Sequence, residues 1–402
     1  MAGNSWARAA VRFANWYDKA VESDLWFPPR LRSREWMFQK WGNAPYDRHR
    51  GFNTPAQVID HIRKIGPHSC FYSTAYYEEP WQRKMAEKGW RGADLVFDLD
   101  GDHLDHVDPF NFPEMIEIIQ EQAWLLWSEF LNPEFGFKEE ALHVTFSGHR
   151  GFHLHYRSAD MLGLDSSSRR ELVNYIRGEG IDVGALKGNS GGGWRTRIDE
   201  GVEIILNKLD LANQDDAEGN AMTRELIAII KERGKSPDAK VKSCGRDRMK
   251  KLADKVQHQD RRRRILQGNL KGLKQHEHLF LELVKGDRSL VIGRAGETDE
   301  SVTIDIKRQI RWPGSLHGKC GLQVTDIPLE RLDPSGSNPF DALSEAVPHY
   351  DDKVANMEVI VDRCVLRIGE DPIELSMGDE IIANANIESF LTLKGWAKVS
   401  NT

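Results

Sequence analysis

The segment Leu95-Val96-Phe97-Asp98-Leu99-Asp100, closed by Gly101, constrains this chain more than any other. Three consecutive apolar residues mark a strand buried on both faces, so the run belongs to the interior of a sheet-containing core. Side chains alternate along a strand with period two, which sends Asp98 and Asp100 out of the same face. Two carboxylates held that close repel each other, and ionising both is costly. A divalent cation relieves the repulsion, and oxygen ligands of this kind suit Mg²⁺ or Mn²⁺. The competing reading is a strand end whose acids simply face water. The apolar run before them favours delivery of the acids to the edge of a core.

Composition narrows the class. The 402 residues are 40% hydrophobic and 29% charged, which suits a globular chain with more than one structural unit. No run approaches the ~20 apolar residues of a membrane span. Met1 to Phe13 has no apolar signal stretch, so a cytoplasmic protein with no membrane partner is expected. Cys70, Cys244, Cys320 and Cys364 form no C-x-x-C pair, which excludes the usual zinc-ribbon and iron–sulfur spacings. The net charge of -7 conceals a basic block, because Arg224 to Lys274 holds 17 Lys and Arg against 6 Asp and Glu. Such a patch attracts a polyanion whatever the total charge. It contains no aromatic residue, so it offers phosphate attraction without base stacking.

Periodicity and turn signals divide the chain into four parts. Residues 1–165 hold a helix over Ala7 to Ala20 and another that opens at Thr54-Pro55 and runs to Ile65. The same part contains the acidic strand, a helix over Pro113 to Leu131, and two strands, Leu142 to Phe146 and Phe152 to Tyr156, that read as a hairpin. Residues 166–284 form a mainly helical, basic insertion. Its Gly188 to Gly193 loop lacks the phosphate-loop pattern and reads as a linker. Residues 285–334 return to the core through a strand over Ser301 to Ile306. Residues 335–402 form a small C-terminal subdomain, with strands within Val359 to Ile368 and a helix over Ile387 to Leu393.

Two more segments carry chemistry. In Ser301 to Ile306 the apolar Val302, Ile304 and Ile306 take one strand face and leave Asp305 on the other. Asp98, Asp100 and Asp305 from two strands are expected to hold two metals ~3.5–4 Å apart, the arrangement for in-line nucleotidyl transfer. Asp102, His103, Asp105 and His106 follow the first acids, and a solvated loop is the favoured reading there. The hairpin Ser147-Gly148-His149-Arg150-Gly151-Phe152-His153 combines glycines that permit close backbone approach with Arg and His donors, as a triphosphate cradle requires. Arg311-Trp312-Pro313-Gly314-Ser315-Leu316-His317-Gly318-Lys319 offers a second set of donors just after Asp305. Each of these, alone, is equally a turn with incidental charges.

Together the segments resemble the motif set of archaeo-eukaryotic primases: VFDLD at 96–100, SGHRGFH at 147–153, the aspartate at 305 and RWPGSLH at 311–317. Arg34-Glu35-Trp36 and Arg48-His49-Arg50-Gly51-Phe52 also resemble family segments, and GWRGADLVFDLD and the tail after Asp333 look most like archaeal small subunits, so the likeness spans nearly the whole chain. The resemblance implies a mixed-sheet α/β catalytic core with a helical insertion. It implies that Asp98, Asp100 and Asp305 ligate the catalytic metals, and that Ser147, His149, Arg150, His153, Arg311 and His317 bind the nucleotide, with Arg48 a further candidate. The implied activity is that of the catalytic subunit of a DNA primase, making short primers on single-stranded DNA from nucleoside triphosphates. The implied partner is a large subunit, which in the family bears an iron–sulfur cluster. Many relatives carry a structural zinc after the acidic strand, but residues 101–135 contain no cysteine, so no zinc is expected here. The alternatives are a stand-alone primase-polymerase and a non-catalytic nucleic-acid-binding subunit.

Overall fold

The computed structural model describes residues 6–101, 107–178, 193–235, 239–286, 300–369 and 371–400. Asp102, His103, Asp105, His106 and residues 188–192 of the glycine-rich loop lie outside them. The chain divides into two compact units. The first comprises Met1–Trp127, Phe137–Val173 and Glu297–Thr402, and the second Ser128–Gly136 and Asn174–Gly296.

The first unit opens with α1 (Ala7–Lys19), β1 (Trp36–Gln39), β2 (Asp47–Arg50), α2 (Pro55–Ile65) and β3 (Ser69–Ser73). The start of α2 follows its sequence signal: the Thr54 hydroxyl accepts the Gln57 amide, Pro55 takes the first turn, and Gly66 closes the helix in the left-handed region. Next come β4 (Ala75–Tyr77), β5 (Trp90–Ala93), β6 (Leu95–Asp100), α3 (Phe112–Leu125), β7 (Leu142–Phe146), β8 (Gly151–Tyr156) and the start of α4 (Ser166–Ile176). The second unit contributes α5 (Gly193–Ala212), α6 (Ala217–Arg233), α7 (Arg246–Val256), α8 (Gln259–Leu266) and α9 (Glu277–Gly286). These five helices bury a core of their own, with Leu206, Leu209, Leu226, Leu252 and Phe280 inaccessible to solvent.

The chain returns to the first unit through α10 (Glu300–Ile304), β9 (Gln309–Arg311), β10 (Thr325–Ile327) and α11 (Ala342–Glu345). It ends with β11 (Val354–Val359), β12 (Arg363–Arg367), β13 (Pro372–Ser376), β14 (Glu380–Asn384), α12 (Ala385–Lys394) and β15 (Ala397–Val399). Two four-stranded sheets dominate, in the orders β2-β1-β3-β9 and β10-β7-β8-β6, and every strand pairing within them is antiparallel. The architecture is α/β, as expected. Among the described residues, no helix is long and apolar enough to cross a membrane.

One element departs from its sequence reading. Ser301 to Ile306 is not a strand; α10 covers Glu300–Ile304 and packs against β6. A six-residue apolar alternation is too short to separate a strand from one helical turn. The open edge of the first sheet goes to β9 instead, paired with β3 through Phe71↔Arg311 and Tyr72↔Ile310.

Arg34-Glu35-Trp36 is a structural hub. Arg34, fully buried, pairs with buried Asp94 at 2.8 Å and donates to the carbonyls of Ser73 and Thr74. Glu35 holds buried Lys88 at 3.0 Å, and Trp36 packs edge-on against Trp312.

Candidate active site

The second sheet sets the acids beside the hairpin through its register. Asp98 stands opposite His153, and His153 opposite Thr145. Asp100 stands opposite Gly151. Directly opposed residues share a face, so Asp98, His153 and Thr145 form one row and Asp100 begins the next. His153 Nε2 lies 3.3 Å from Asp98 Oδ1, and its Nδ1 lies 3.5 Å from the Thr145 hydroxyl. Arg150 Nε approaches Asp100 Oδ1 at 4.0 Å. A side chain at Gly151 would strike the Leu99 carbonyl, so only glycine permits this close pairing of β8 with β6.

Electrostatics mark the acid pair as strained. Burial raises the Asp100 carboxyl above its ordinary value, and the Asp98 charge adds to the rise. Arg150, His153 and Lys319 oppose it. Two hard oxygen donors whose joint ionisation is penalised fit a divalent cation, which favours both charged forms.

Asp305 follows α10, which packs against β6. It is exposed just beyond α10, where its Oδ1 accepts the Lys307 amide at 2.9 Å, and its charge acts on Tyr77 and Arg169. Among the described residues, no group of three or more His, Cys, Asp or Glu side chains is gathered for a metal. What the structure corrects is the element: the third acid follows a helical turn packed against β6 and is not carried by a second strand.

The hairpin and the loop after β9 lock onto each other. The Ser147 hydroxyl accepts the amides of His149 and Gly151, and these contacts shape the turn. Gly148 has φ +81°, and a Cβ there would sit 2.9 Å from the His317 Cβ. The buried Cys320 thiol donates to the Gly148 carbonyl at 2.9 Å. Within the loop, Trp312 and Leu316 point into the core, while Arg311 lies over Phe71 and His317 against His149. Trp312 is fully buried and its amide donates to the Cys70 carbonyl; the Leu316 amide donates to the Tyr17 hydroxyl.

Around the hairpin lie cations with few acids to answer them. His149 and His317 stack at 4.9 Å, both nearly inaccessible. Burial, helped by neighbouring cations, holds both well below the ordinary imidazole value, so both are neutral at pH 7. His317 Nδ1 accepts the Lys319 amide, which places the ring proton on Nε2 as a donor. The Arg311 guanidinium packs over the Phe71 ring at 4.4 Å, and its buried Nη1 has no hydrogen-bond partner among the described residues. Burial lowers it to about 10. A buried, unsatisfied cationic donor is costly unless an anionic ligand completes it.

Arg48 lies on the first sheet. It is exposed on β2, the edge of the first sheet opposite the one that carries Arg311. Lys319, part of the second donor segment, lies in the same region, and so do His68 and Lys394, which were not singled out from the sequence. Burial takes His68 to about 4, with Arg311 and Lys319 contributing; a side chain at Gly318 would collide with its ring. A separate cleft of about 430 Å³ is lined by Arg12, Trp16, Lys19, Gln323, His349 and Asp351. Arg12 there is already paired with Glu388 at 2.6 Å and Asp351 at 3.4 Å.

The model of the DNA primase small subunit family matches residues 97–327. The chain is 32% identical to the DNA primase small subunit PriS of Methanothrix thermoacetophila, over 97% of each chain. It is 34% identical to that of Methanosarcina barkeri, over 84% of this chain and 83% of the relative. With the PriS of Methanocorpusculum labreanum it shares 29% identity, over 97% and 96%.

Proposed function

The chain belongs to the DNA primase small-subunit family and is a nucleotidyltransferase, and from that premise we propose how its residues divide the work. Asp98 and Asp100 hold the divalent cations, Mg²⁺ or Mn²⁺. When bound, these cations activate the attacking hydroxyl and neutralise charge on the triphosphate. His153, 3.3 Å from Asp98 and tied to Thr145, fixes the orientation of that carboxylate. Arg150, Arg311 and the Nε2 proton of His317 bind phosphate oxygens, and Lys319 adds charge. Ser147 shapes the turn that presents His149 and Arg150. The substrates are nucleoside triphosphates and a single-stranded DNA template, the product is a short primer, and the setting is the cytoplasm. A larger partner subunit, bearing an iron–sulfur cluster as in the family, completes the enzyme.

The observation that carries this reading is the register Asp98↔His153 and Asp100↔Gly151, which sets the acid pair against the donor hairpin on one sheet. Such an arrangement suits phosphoryl-type transfer, where catalysis is mostly positioning and charge stabilisation. Incorporation of labelled nucleotide on a single-stranded template, with Mg²⁺ or Mn²⁺, is the test. Activity that requires the metal supports the reading. A well-folded chain that stays inactive with either metal, alone and with its large subunit, contradicts it.

A further inference from the structure

We propose that Lys394, carried by the last helix of the chain, is a phosphate-binding residue for the incoming nucleotide; the inference rests on the primase reading of the site. The amide oxygen of Asn384 caps the start of α12, and Gly395, with φ +69°, ends the helix. The chain then reverses so that Trp396 packs edge-on against Phe390, which in turn packs against Phe112. This places the Lys394 side chain between two aromatic faces, its Nζ 5.0 Å from the Phe112 ring and 4.9 Å from the Trp396 ring. A lysine at a helix C-terminus is favoured by the helix dipole while remaining in water. Lys394 instead runs inward, and its Nζ reaches His149 Nε2 at 3.2 Å.

His149 is neutral, so the contact is a hydrogen bond from the ammonium and not an ion pair. It consumes one of the three ammonium donors. No carboxylate lies within ion-pair distance of Nζ among the described residues, and the charges that oppose it include Arg150 and Lys319. Burial and these neighbours bring the group down to about 8. A cation taken from water, pressed toward two others and answered by Asp100 only from beyond ion-pair distance is costly alone. It becomes favourable when a polyanion arrives. His149 thereby gains a role: it stacks on His317 and steers Lys394 toward the cluster.

The test uses the full chain and magnesium pyrophosphate as the probe, with nucleoside triphosphate in parallel. Lys394→Met keeps the stem between Phe112 and Trp396 and removes the charge. Lys394→Gln keeps a donor for His149, and Lys394→Arg restores the charge. One charge-assisted bond corresponds to roughly ten- to a hundredfold in affinity. Expected are ~10-fold or greater losses of pyrophosphate and nucleotide affinity for the Met and Gln variants, near-normal binding for Lys394→Arg, and unchanged template affinity. Melting temperatures are measured alongside, and a folded Gln variant is decisive should the Met variant unfold. Wild-type pyrophosphate affinity in a folded Lys394→Gln chain would overturn the inference. Arg311→Ala separates the two levels. If it weakens pyrophosphate binding while Lys394→Gln does not, only the role of Lys394 fails; if neither does, the site reading fails with it.

Discussion

The cations of the sheet-built unit and those of the helical unit differ in kind more than in number. Arg224 to Lys274 supplies 17 Lys and Arg, yet much of that charge is answered locally. Arg262 pairs with Asp210 at 2.6 Å, Lys250 with Asp215 at 3.0 Å, Arg233 with Glu282 at 3.1 Å and Arg263 with Asp260 at 3.2 Å. Apart from Arg233–Glu282, which is largely buried, these pairs reach solvent, contribute little and leave a diffuse positive surface. Arg150, Arg311 and Lys394 are few, but burial lowers each of them and little acid compensates. A diffuse surface attracts a polyanion over distance and yields to salt. A desolvated cluster waits for one anion at one place. Environment, not charge count, locates the phosphate site.

The acids that face this cluster are the point at which the contrast breaks most sharply. Asp98→Ala and Asp100→Ala each remove a carboxylate from the pair, and a metal contributes several kcal/mol to the transition state, roughly 10³-fold in rate. Primer synthesis is expected to fall by about that factor with the melting temperature preserved. Asp305→Ala, by contrast, removes only the acceptor of the Lys307 amide and a charge near Arg169. Its expected rate is within a few-fold of wild type. A loss as deep as that of Asp98→Ala would return Asp305 to the metal site.

Next in size is Arg150→Ala, which removes a donor from the desolvated cluster. Steady-state kinetics are expected to show a loss of ~10- to 100-fold in kcat/KM for nucleotide, with template affinity almost unchanged. Because charge grows on the departing pyrophosphate, kcat should suffer at least as much as KM. The mirror experiment falls on the helical unit. Arg263→Gln with Arg264→Gln neutralises two exposed cations, and the slope of log affinity against log salt should flatten by ~1–2, with nucleotide KM unmoved. An unchanged slope would make that face a merely solvated or protein-docking surface.

How much of this was legible depended on whether a residue's role is set locally. The strand ending in Asp98 and Asp100 was, because an apolar run and period-two alternation are contained in six residues. So were the β7–β8 hairpin and the start of α2, where Thr54 and Pro55 carry their own geometry. Asp305 was expected on a strand and instead follows a helical turn, because Val302, Ile304 and Ile306 alternate over a stretch equally able to form one. Lys394 carried no local signal at all. Its environment is made by His149, 245 positions away, and by Phe112 and Trp396. Ser147 and Arg34 were legible as motif residues, but their contacts to turn amides and to Asp94 make them architectural.

The smallest effect concerns Asp100 and pH. Its carboxyl is raised in the folded chain by burial and then by Asp98. In metal-free protein its contribution to stability is present below the unfolded-state value and lost as pH rises through the folded one. Asp100→Asn removes that loss, and is expected to raise the melting temperature of the metal-free chain at pH 7 by about 1–3 °C. Near pH 3, where both states bind the proton, the variant and wild type should melt together. Divalent metal should then stabilise wild type and not the variant.

The contrast between desolvated and solvated cations is tested most directly by calorimetric titration of magnesium nucleoside triphosphate without template. Three proteins suffice: wild type, Arg311→Ala, and the Arg263→Gln, Arg264→Gln double variant. One buried guanidinium with an unsatisfied Nη1 should outweigh two exposed ones. Expected is a loss of ~10-fold or more in nucleotide affinity for Arg311→Ala and wild-type affinity for the double variant. Equal losses, or a larger loss in the double variant, would contradict the assignment of the phosphate site to the sheet-built unit.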